Sequence, residues 1–260
     1  MLDVYQIDAF TNTIFGGNPA CVVPLNSWLP DETLLKITQE NAVAETAFFV
    51  AKEDTFHLRW FTPEVEMDLC GHATLATAHC LKTILKHPSS TIVFETASGD
   101  LTVRVEGDFY FLDFPSRMPV LAALPLIIEK SLNIAPKEVY KSRDYVLVYD
   151  TEQDIKNIKI NRSLFDQINL NTGGVIVTSK GDNCDFVSRF FTPQASILED
   201  PVTGSAHCSL IPFWAKKLHK KELNALQLSK RKGVLNCLDK NDRVIISGQA
   251  KTYSIGKLWI

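Results

Sequence analysis

Residues 59–63 read Arg-Trp-Phe-Thr-Pro, and residues 189–193 read Arg-Phe-Phe-Thr-Pro. The two segments lie 130 residues apart, which is half of the 260-residue chain. Each combines aromatic residues, which favour a strand, with a Thr-Pro step that ends it. This pair of segments is the first sign that the sequence contains two similar halves.

The match continues in order on both sides of this pair. Upstream, Phe56 corresponds to Phe186 at the same spacing of 130. Downstream, Gly71 corresponds to Gly204 at a spacing of 133 residues. Further on, the segment Gly-Asp-Leu-Thr-Val at 99–103 corresponds to Gly-Val-Leu-Asn-Cys at 233–237, at a spacing of 134 residues. Two unrelated strands that share a turn would leave an isolated match. An ordered series with slowly growing spacing predicts a duplication with small insertions.

Each half also shows the same order of predicted elements. Runs of β-branched and aromatic residues predict strands at 2–7, 46–51, 56–61, 91–94, 101–105 and 109–114, and at 145–148, 174–178, 184–191, 233–238 and 243–247. Helical patterns follow the two glycine motifs, at 72–86 and 205–219, and shorter ones cover 31–40 and 126–132. Residues 72–81 are apolar nearly all round, which is typical of a buried helix.

These patterns predict an α+β fold of two similar halves, each a β-barrel-like sheet around a central helix. We expect domains at 1–117 and 118–260, with a last strand that can pack on the first domain. Residues 115–125 are the predicted linker.

Composition places the chain among globular proteins and excludes several classes of function. Hydrophobic residues make up 45% and charged residues 22%, and the formal net charge of −3 argues against a nucleic-acid surface. No apolar run approaches the roughly 20 residues of a membrane helix, and the first residues do not resemble a secretory signal. We therefore expect a cytoplasmic protein with no membrane partner. The six cysteines are scattered, which predicts reduced thiols and no structural metal.

A glycine opens each of the two long predicted helices, in Gly71-His72 and in Gly204-Ser205. A helix start presents unpaired backbone N–H groups and a positive dipole end, and both favour a bound anion such as a carboxylate. The alternative is that each glycine only shapes the turn. Matching positions in the two halves favour a small ligand held in the cleft between them.

Two carboxylates are candidates for proton transfer. Glu45 stands in an apolar segment at 41–49, where burial would make it a competent acid and base. A solvent-facing residue at a strand edge is the alternative. Asp200 precedes the second helix and Asp68 holds a similar place before the first, where either could equally be an ordinary acid at a helix N-terminus.

Five segments together resemble the phenazine-biosynthesis PhzF-like family. They are Phe10-Thr11-Asn12, Gly17-Asn18-Pro19-Ala20, Glu45-Thr46-Ala47-Phe48, Cys70-Gly71-His72-Ala73-Thr74 and the segment from Glu199 to Ala206. The resemblance extends from about residue 3 to Gly256. It implies the diaminopimelate-epimerase-like fold, often as a homodimer, and a cofactor-independent isomerase of a small carboxylated metabolite.

The resemblance also implies roles for individual residues. Glu45 is expected to shuttle the proton, and His72 and Asp200 to assist it. The expected substrate-binding positions are Asn18, Gly71, Ala73, Gly204 and Ser205. Neither a metal nor another cofactor is expected. Ala44 departs from the family's phenazine enzyme, which has a hydroxyl residue there, so the resemblance supports an isomerase better than the phenazine step itself.

Two alternatives stay open. Racemases and epimerases of the same fold use two opposed cysteines, and Cys70 occupies the first such position. Residues 200–204 supply no second thiol, and Cys208 lies a helical turn further on. The other alternative is a binding protein that keeps the pocket without the reaction.

Overall fold

A computed structural model describes all residues, 1–260. The chain divides into two compact units, one formed by residues 1–114 with 245–260 and the other by residues 115–244. The sequence placed the division a few residues later, at 117/118, and allowed the last strand to join the first domain. In the structure the C-terminal strand pairs with the N-terminal strand along its length, from Leu2 opposite Leu258 to Ala9 opposite Ala250.

The elements of the first unit alternate short strands with two helices. They are β1 (Leu2–Ala9), β2 (Asn18–Leu25), α1 (Asp31–Asn41), β3 (Glu45–Ala51), β4 (Phe56–Phe61), β5 (Glu66–Met67), α2 (Gly71–His79), β6 (Thr91–Thr96), β7 (Gly99–Glu106), β8 (Phe109–Pro115) and, after the second unit, β18 (Ala250–Leu258).

The second unit contains the remaining elements. They are β9 (Val120–Leu121), α3 (Leu126–Ser131), β10 (Glu138–Lys141), β11 (Tyr145–Val148), α4 (Glu152–Asn157), α5 (Arg162–Phe165), β12 (Val175–Lys180), β13 (Phe186–Phe191), β14 (Glu199–Asp200), α6 (Gly204–Leu218), β15 (Glu222–Gln227), β16 (Gly233–Asp239) and β17 (Arg243–Gly248), which crosses the unit boundary.

The strands of the two units pair in the same order. In the first unit β2 runs parallel to β3, β3 is antiparallel to β4, and β4 pairs with β5 antiparallel and with β6 in parallel. In the second unit β11, β12, β13, β14 and β15 repeat these relations one for one. The predicted duplication is therefore visible in the sheet pairings of each unit.

An arginine–glutamate pair repeats with the duplication. Arg59 on β4 donates two hydrogen bonds to Glu66, each of 2.7 Å. Arg189, at the equivalent position of β13, donates two to Glu199, of 2.7 and 2.9 Å. Such a bidentate pair fixes both distance and orientation. It ties the short strand that follows each Thr-Pro step back to the strand before it.

Each unit surrounds one buried helix. All nine residues of α2 are buried, and the helix packs against β1, β2, β3 and β18. In the second unit the first twelve residues of α6 are buried, and the helix packs against β15 and β16. The α+β prediction of two similar halves, each with strands around a central helix, is confirmed. The predicted extent of the first helix is corrected, because α2 ends at His79 and continues as a π-helical turn, Cys80–Ile84.

Several strands were not predicted because their residues carry weak signals. β2 contains Pro19 and Pro24, and proline ordinarily argues against a strand within a sheet. β15 and β18 mix polar and apolar residues without a clean alternation. None of the helices has the length and apolar character needed to cross a membrane.

Candidate functional site

Glu45 and His72 meet because of how their elements begin. Glu45 is the first residue of β3 and stands opposite Ala20 of the parallel strand β2, whose first residue is Asn18. His72 is the second residue of α2, which packs on both strands. The start of a helix is thus brought to the beginnings of two adjacent strands, and three predicted site residues come together in the first unit.

The Glu45 carboxylate and the His72 ring form a close, shielded pair. Oε2 of Glu45 lies 3.1 Å from Nε2 of His72, with 14% and 3% of the two side chains exposed. Both atoms are buried, and neither has an aligned hydrogen-bond partner. A contact that is short but bent is common in ligand-free active sites, where such bonds tighten when the substrate binds.

The other ring nitrogen of His72 faces two further side chains. Nδ1 lies 3.0 Å from Nδ2 of Asn18 and 3.6 Å from Sγ of Cys70. Asn18 and Cys70 are both buried. The imidazole is therefore held between Glu45 on one nitrogen and an amide and a thiol on the other.

The charges of this group are strongly coupled. Burial by itself lowers the pKa of His72, but the neighbouring Cys70 and Glu45 outweigh it, and the pKa of His72 lies well above its ordinary value. Burial and the Glu45 charge raise the pKa of the Cys70 thiol against a smaller opposing effect of His72. The raised pKa of the Cys70 thiol means that little thiolate forms near pH 7.

These three side chains also form a set of metal-ligating types. Glu45, Cys70 and His72 each offer one donor atom, and the three atoms lie within 4.8 Å of one another. Carboxylate, thiolate and imidazole are the ligands that zinc takes in proteins. The sequence predicted no metal because these residues lack a paired ligand motif. A thiophilic cation and the proton-transfer pair would compete for the same atoms.

Asp200 in the second unit lies in a compact polar network. Its carboxylate accepts a hydrogen bond from the hydroxyl of Thr203, and its backbone oxygen accepts one of 2.9 Å from Nε2 of Gln227. Oε1 of Gln227 accepts a bond of 2.8 Å from the backbone N–H of Thr203. Gln227 thus fixes the segment that leads from Asp200 into α6. By contrast Asp68, the proposed counterpart of Asp200, is exposed.

The first turn of α6 carries Ser205, which receives a hydrogen bond of 3.3 Å from Nη2 of Arg143. The residues before the two helices, Cys70 and Thr203, make no side-chain capping bond. The first-turn N–H groups at Gly71 and Gly204 therefore face no capping side chain, which is the arrangement that favours a bound anion.

The structure places the predicted site residues in two groups, one in each unit. Asn18, Glu45, Gly71, His72 and Ala73 belong to the first, and Asp200, Gly204 and Ser205 to the second. Sequence reasoning missed Gln227 and Arg143. Gln227 left no usable signal, because β15 was not predicted and its inward-facing positions, Leu223, Ala225 and Gln227, are known only from the structure. Arg143 left none.

Comparisons with known proteins identify the family of the chain. A profile of the family described as phenazine biosynthesis-like protein, PhzC-PhzF, matches residues 7–256. A relative from Pseudomonas aeruginosa, named an uncharacterized isomerase, is 47% identical over 257 residues, which is 99% of this chain and 98% of its own.

Solved structures extend the comparison to the fold. A phenazine biosynthesis protein of the PhzF family from Enterococcus faecalis is similar with a TM-score of 0.94 and 43% identity, covering 100% of this chain and 99% of that one. A probable proline racemase from Agrobacterium radiobacter K84 is similar with a TM-score of 0.66 at 9% identity, covering 99% and 93%, which is a likeness of fold alone. The diaminopimelate-epimerase-like fold is thereby confirmed.

Proposed function

Because the chain belongs to the PhzC-PhzF family of phenazine biosynthesis-like proteins, and is an isomerase of that type, we propose that its reaction is a proton transfer within a small carboxylated metabolite. Glu45 removes a proton from one carbon and delivers a proton to another. The observation that carries this proposal is the shielded Glu45–His72 contact of 3.1 Å.

The environment of Glu45 suits an acid–base role. With 14% of its side chain exposed, the carboxylate is reachable by a small molecule yet largely removed from water. His72 supports the ionised carboxylate on one oxygen and leaves the other for the substrate. When the substrate gives up its C–H proton to Glu45, the double bond shifts, and Glu45 delivers a proton to the new carbon after exchange of its own proton with water. Electrons are conserved in this step, so the reaction requires no redox cofactor.

The helix starts are proposed to bind the substrate's carboxylate. Gly71 and Gly204 open helices whose preceding residues make no side-chain cap, and Ser205 adds a hydroxyl beside the second of them. Backbone N–H groups at a helix start bind anions through direct hydrogen bonds and the helix dipole. Asp200, held by Gln227, is proposed to assist the proton transfer.

Thiol chemistry at Cys70 is the second candidate, favoured by the 3.6 Å contact between its sulfur and His72. Two observations weigh against it. Burial raises the pKa of the Cys70 thiol, so little thiolate forms near neutral pH. Cys208, the nearest cysteine to the equivalent position of the second unit, is fully buried, and burial raises its pKa to about 12. A catalytically silent binding protein is the third candidate.

The proposal is tested by screening small carboxylates for thermal stabilisation of the protein and then incubating the best binders with enzyme in deuterated water. We expect solvent deuterium to enter a binder at the position that receives the proton, and Glu45→Gln to slow this exchange by about 10²- to 10⁴-fold. Glu32→Gln is the matched control, because Glu32 is an exposed surface carboxylate paired only with Lys36.

Stabilisation without exchange in the wild-type protein would instead identify a silent binding protein. Exchange that survives unchanged in Glu45→Gln would remove Glu45 from the reaction.

A further inference from the structure

The start of α6 in the second unit is built differently from its counterpart at α2. The residue opposite Phe61 follows Glu45, and the residue opposite Phe191 follows Gly174. Because Phe61 and Phe191 occupy the same place in the duplicated segment, Gly174 corresponds to Glu45. The second unit therefore has no carboxylate at the position that Glu45 occupies in the first.

An arginine stands beside the second helix start instead. Ser205 is the second residue of α6, as His72 is of α2. Asn18 contacts His72 from the first residue of β2. Arg143 precedes β11, the strand equivalent to β2, and its Nη2 donates a hydrogen bond of 3.3 Å to the Ser205 hydroxyl. One unit thus presents an acid–base pair at its helix start, and the other presents a cation and a hydroxyl.

The guanidinium of Arg143 is held on one side only. Its Nε lies 3.5 Å from Oδ1 of Asp144, an oxygen that also accepts a hydrogen bond of 2.8 Å from the backbone N–H of Gly174. Nε–H and the Nη2–H that donates to Ser205 point to this same side of the group. The two parallel N–H bonds at the end of the guanidinium, one on Nη1 and one on Nη2, remain available, and Nη1 is buried without a hydrogen-bond partner.

This end of the guanidinium matches a planar carboxylate, which accepts two parallel N–H bonds at once. The Ser205 hydroxyl accepts from Arg143 and keeps its own hydrogen for a third bond. A buried N–H without an acceptor is unfavourable, so a ligand oxygen at Nη1 stabilises the complex. The side chain of Arg143 is 17% exposed, close to the 14% of Glu45, so a small molecule can reach both.

The charges around this site favour an anion. A second guanidinium, that of Arg117, belongs to a residue whose backbone N–H donates a hydrogen bond of 2.9 Å to the Cys208 carbonyl of α6, and its Nη1 is also buried without a partner. Burial raises the pKa of the Asp144 carboxyl, and the charges of Arg143 and Arg117 both act against that. Two guanidiniums and one carboxyl leave a net charge of at least +1, which one carboxylate balances.

We propose that Arg143 is a substrate-binding residue, which holds the substrate's carboxylate through the Nη1–Nη2 end of its guanidinium, with the Ser205 hydroxyl as third donor. This inference rests on the proposed function, in which the substrate is a small carboxylate, and adds the residue that selects a carboxylate over a neutral group of the same shape. The two duplicated helix starts thereby have different tasks, proton transfer at α2 and anion recognition at α6.

The test is a titration of the full chain with acetate at constant ionic strength, followed by nitrogen-15 NMR of the arginine side chains. Acetamide is the comparison ligand, because it has the shape of acetate without the charge. The Arg143 Nε signal is assigned by its loss in Arg143→Lys. We expect acetate to shift this signal to saturation and acetamide to leave it in place.

The wild-type titration alone can overturn the proposal. It does so if the Arg143 signal does not saturate with acetate, or if acetamide shifts it as much. Inorganic phosphate that saturates the signal at a lower concentration than acetate would overturn the assignment to a carboxylate.

Arg143→Gln provides the second arm, read on the backbone amide of Ser205. Loss of the charged donor pair should weaken acetate binding by about 10- to 100-fold. Arg143→Lys should weaken it less, because lysine keeps the charge but not the two parallel donors. An unchanged affinity in a folded Arg143→Gln protein would overturn the proposal. Should this variant not fold, the wild-type titration and Arg143→Lys still decide the question.

The matched control is Arg162→Gln. Arg162 belongs to the same unit and pairs with Asp166 at 3.0 Å, but about half of its side chain is exposed. Acetate affinity should not change in this variant, and a loss as large as that in Arg143→Gln would show a general effect of charge and overturn the assignment. Because no proton transfer is measured, this test can fail while the isomerase proposal stands, and it can succeed even if Glu45→Gln proves active.

Discussion

Acidification should destabilise the folded protein through His207, a buried histidine whose second ring nitrogen has no hydrogen-bond acceptor for an added proton. His207 lies on α6 and is fully buried. Its Nδ1 lies 2.8 Å from the backbone oxygen of Thr203 and donates to it, while Nε2 has no partner. The ring of Phe186 lies 5.8 Å away, centroid to centroid. A proton on Nε2 would be a buried charge without an acceptor, and burial lowers the pKa of His207 to about 4.

The size of the effect follows from the two pKa values. The unfolded chain titrates His207 near 6.5 and the folded one near 4, so between these values only the unfolded chain takes up the proton. The contribution of His207 to stability is therefore complete above pH 6.5 and is lost as the pH falls toward 4. At pH 5 the gap of about 1.5 units corresponds to a loss of about 2 kcal/mol in the free energy of unfolding.

The assay is urea unfolding followed by circular dichroism at pH 7 and pH 5, in the wild type and in His207→Asn. Asparagine does not titrate and keeps an N–H donor for the Thr203 oxygen. His79, whose pKa burial lowers to about 4, adds a loss in the same direction, and His72, whose pKa is raised, opposes it. Both contribute in each protein and cancel in the comparison. The wild type should lose about 2 kcal/mol more than the variant. Equal losses in the two proteins would refute the reasoning.

The remaining predictions concern a glycine and a thiol. Gly17→Ala should lower the free energy of unfolding by more than about 3 kcal/mol in urea titrations, because φ is +59° and an added Cβ would lie 2.0 Å from the Ala9 carbonyl oxygen. Gly107→Ala, with φ +56° and open space around the Cβ, should cost only about 1 kcal/mol, and similar losses in both would contradict the steric argument. Iodoacetamide should modify the half-buried Cys184 before the buried Cys70, as read by peptide mass spectrometry over time. Faster alkylation of Cys70 would indicate a reactive thiolate.

The sequence predicted the fold well wherever local pattern and duplication agreed. Strands β4 and β13 were placed correctly at their C-terminal ends, because each ends in an aromatic pair followed by Thr-Pro. The bounds of β18 were not predicted, although a last strand packing on the first domain was expected, because its pairing with β1 spans almost the entire sequence and no local pattern records such a partner. β2 was missed for a different reason, because its two prolines argue against a strand more strongly than its apolar residues argue for one.

The candidate site could be predicted as a set of residues but not as a geometry. Glycine at a helix start and a carboxylate in an apolar segment carry local signals, and these pointed to Gly71 and Glu45. The contact of Asn18 with His72 joins residues 54 positions apart and depends on the strand register and on the packing of α2. The spacing of residues in the sequence specifies neither the strand register nor the packing of α2. The role of Gln227 was hidden for the same reason, because the strand that turns its side chain inward was itself not predicted.

The most direct test of the central claim compares Glu45→Gln with Cys70→Ser in the same solvent-deuterium exchange, on a carboxylate that the wild-type enzyme labels. Glu45 is proposed to carry the proton, and the buried thiol is not. We predict that Glu45→Gln loses about 10²- to 10⁴-fold in exchange rate, whereas Cys70→Ser stays within about tenfold of the wild type. The reverse result, with both variants folded, would contradict the account and assign the reaction to the thiol.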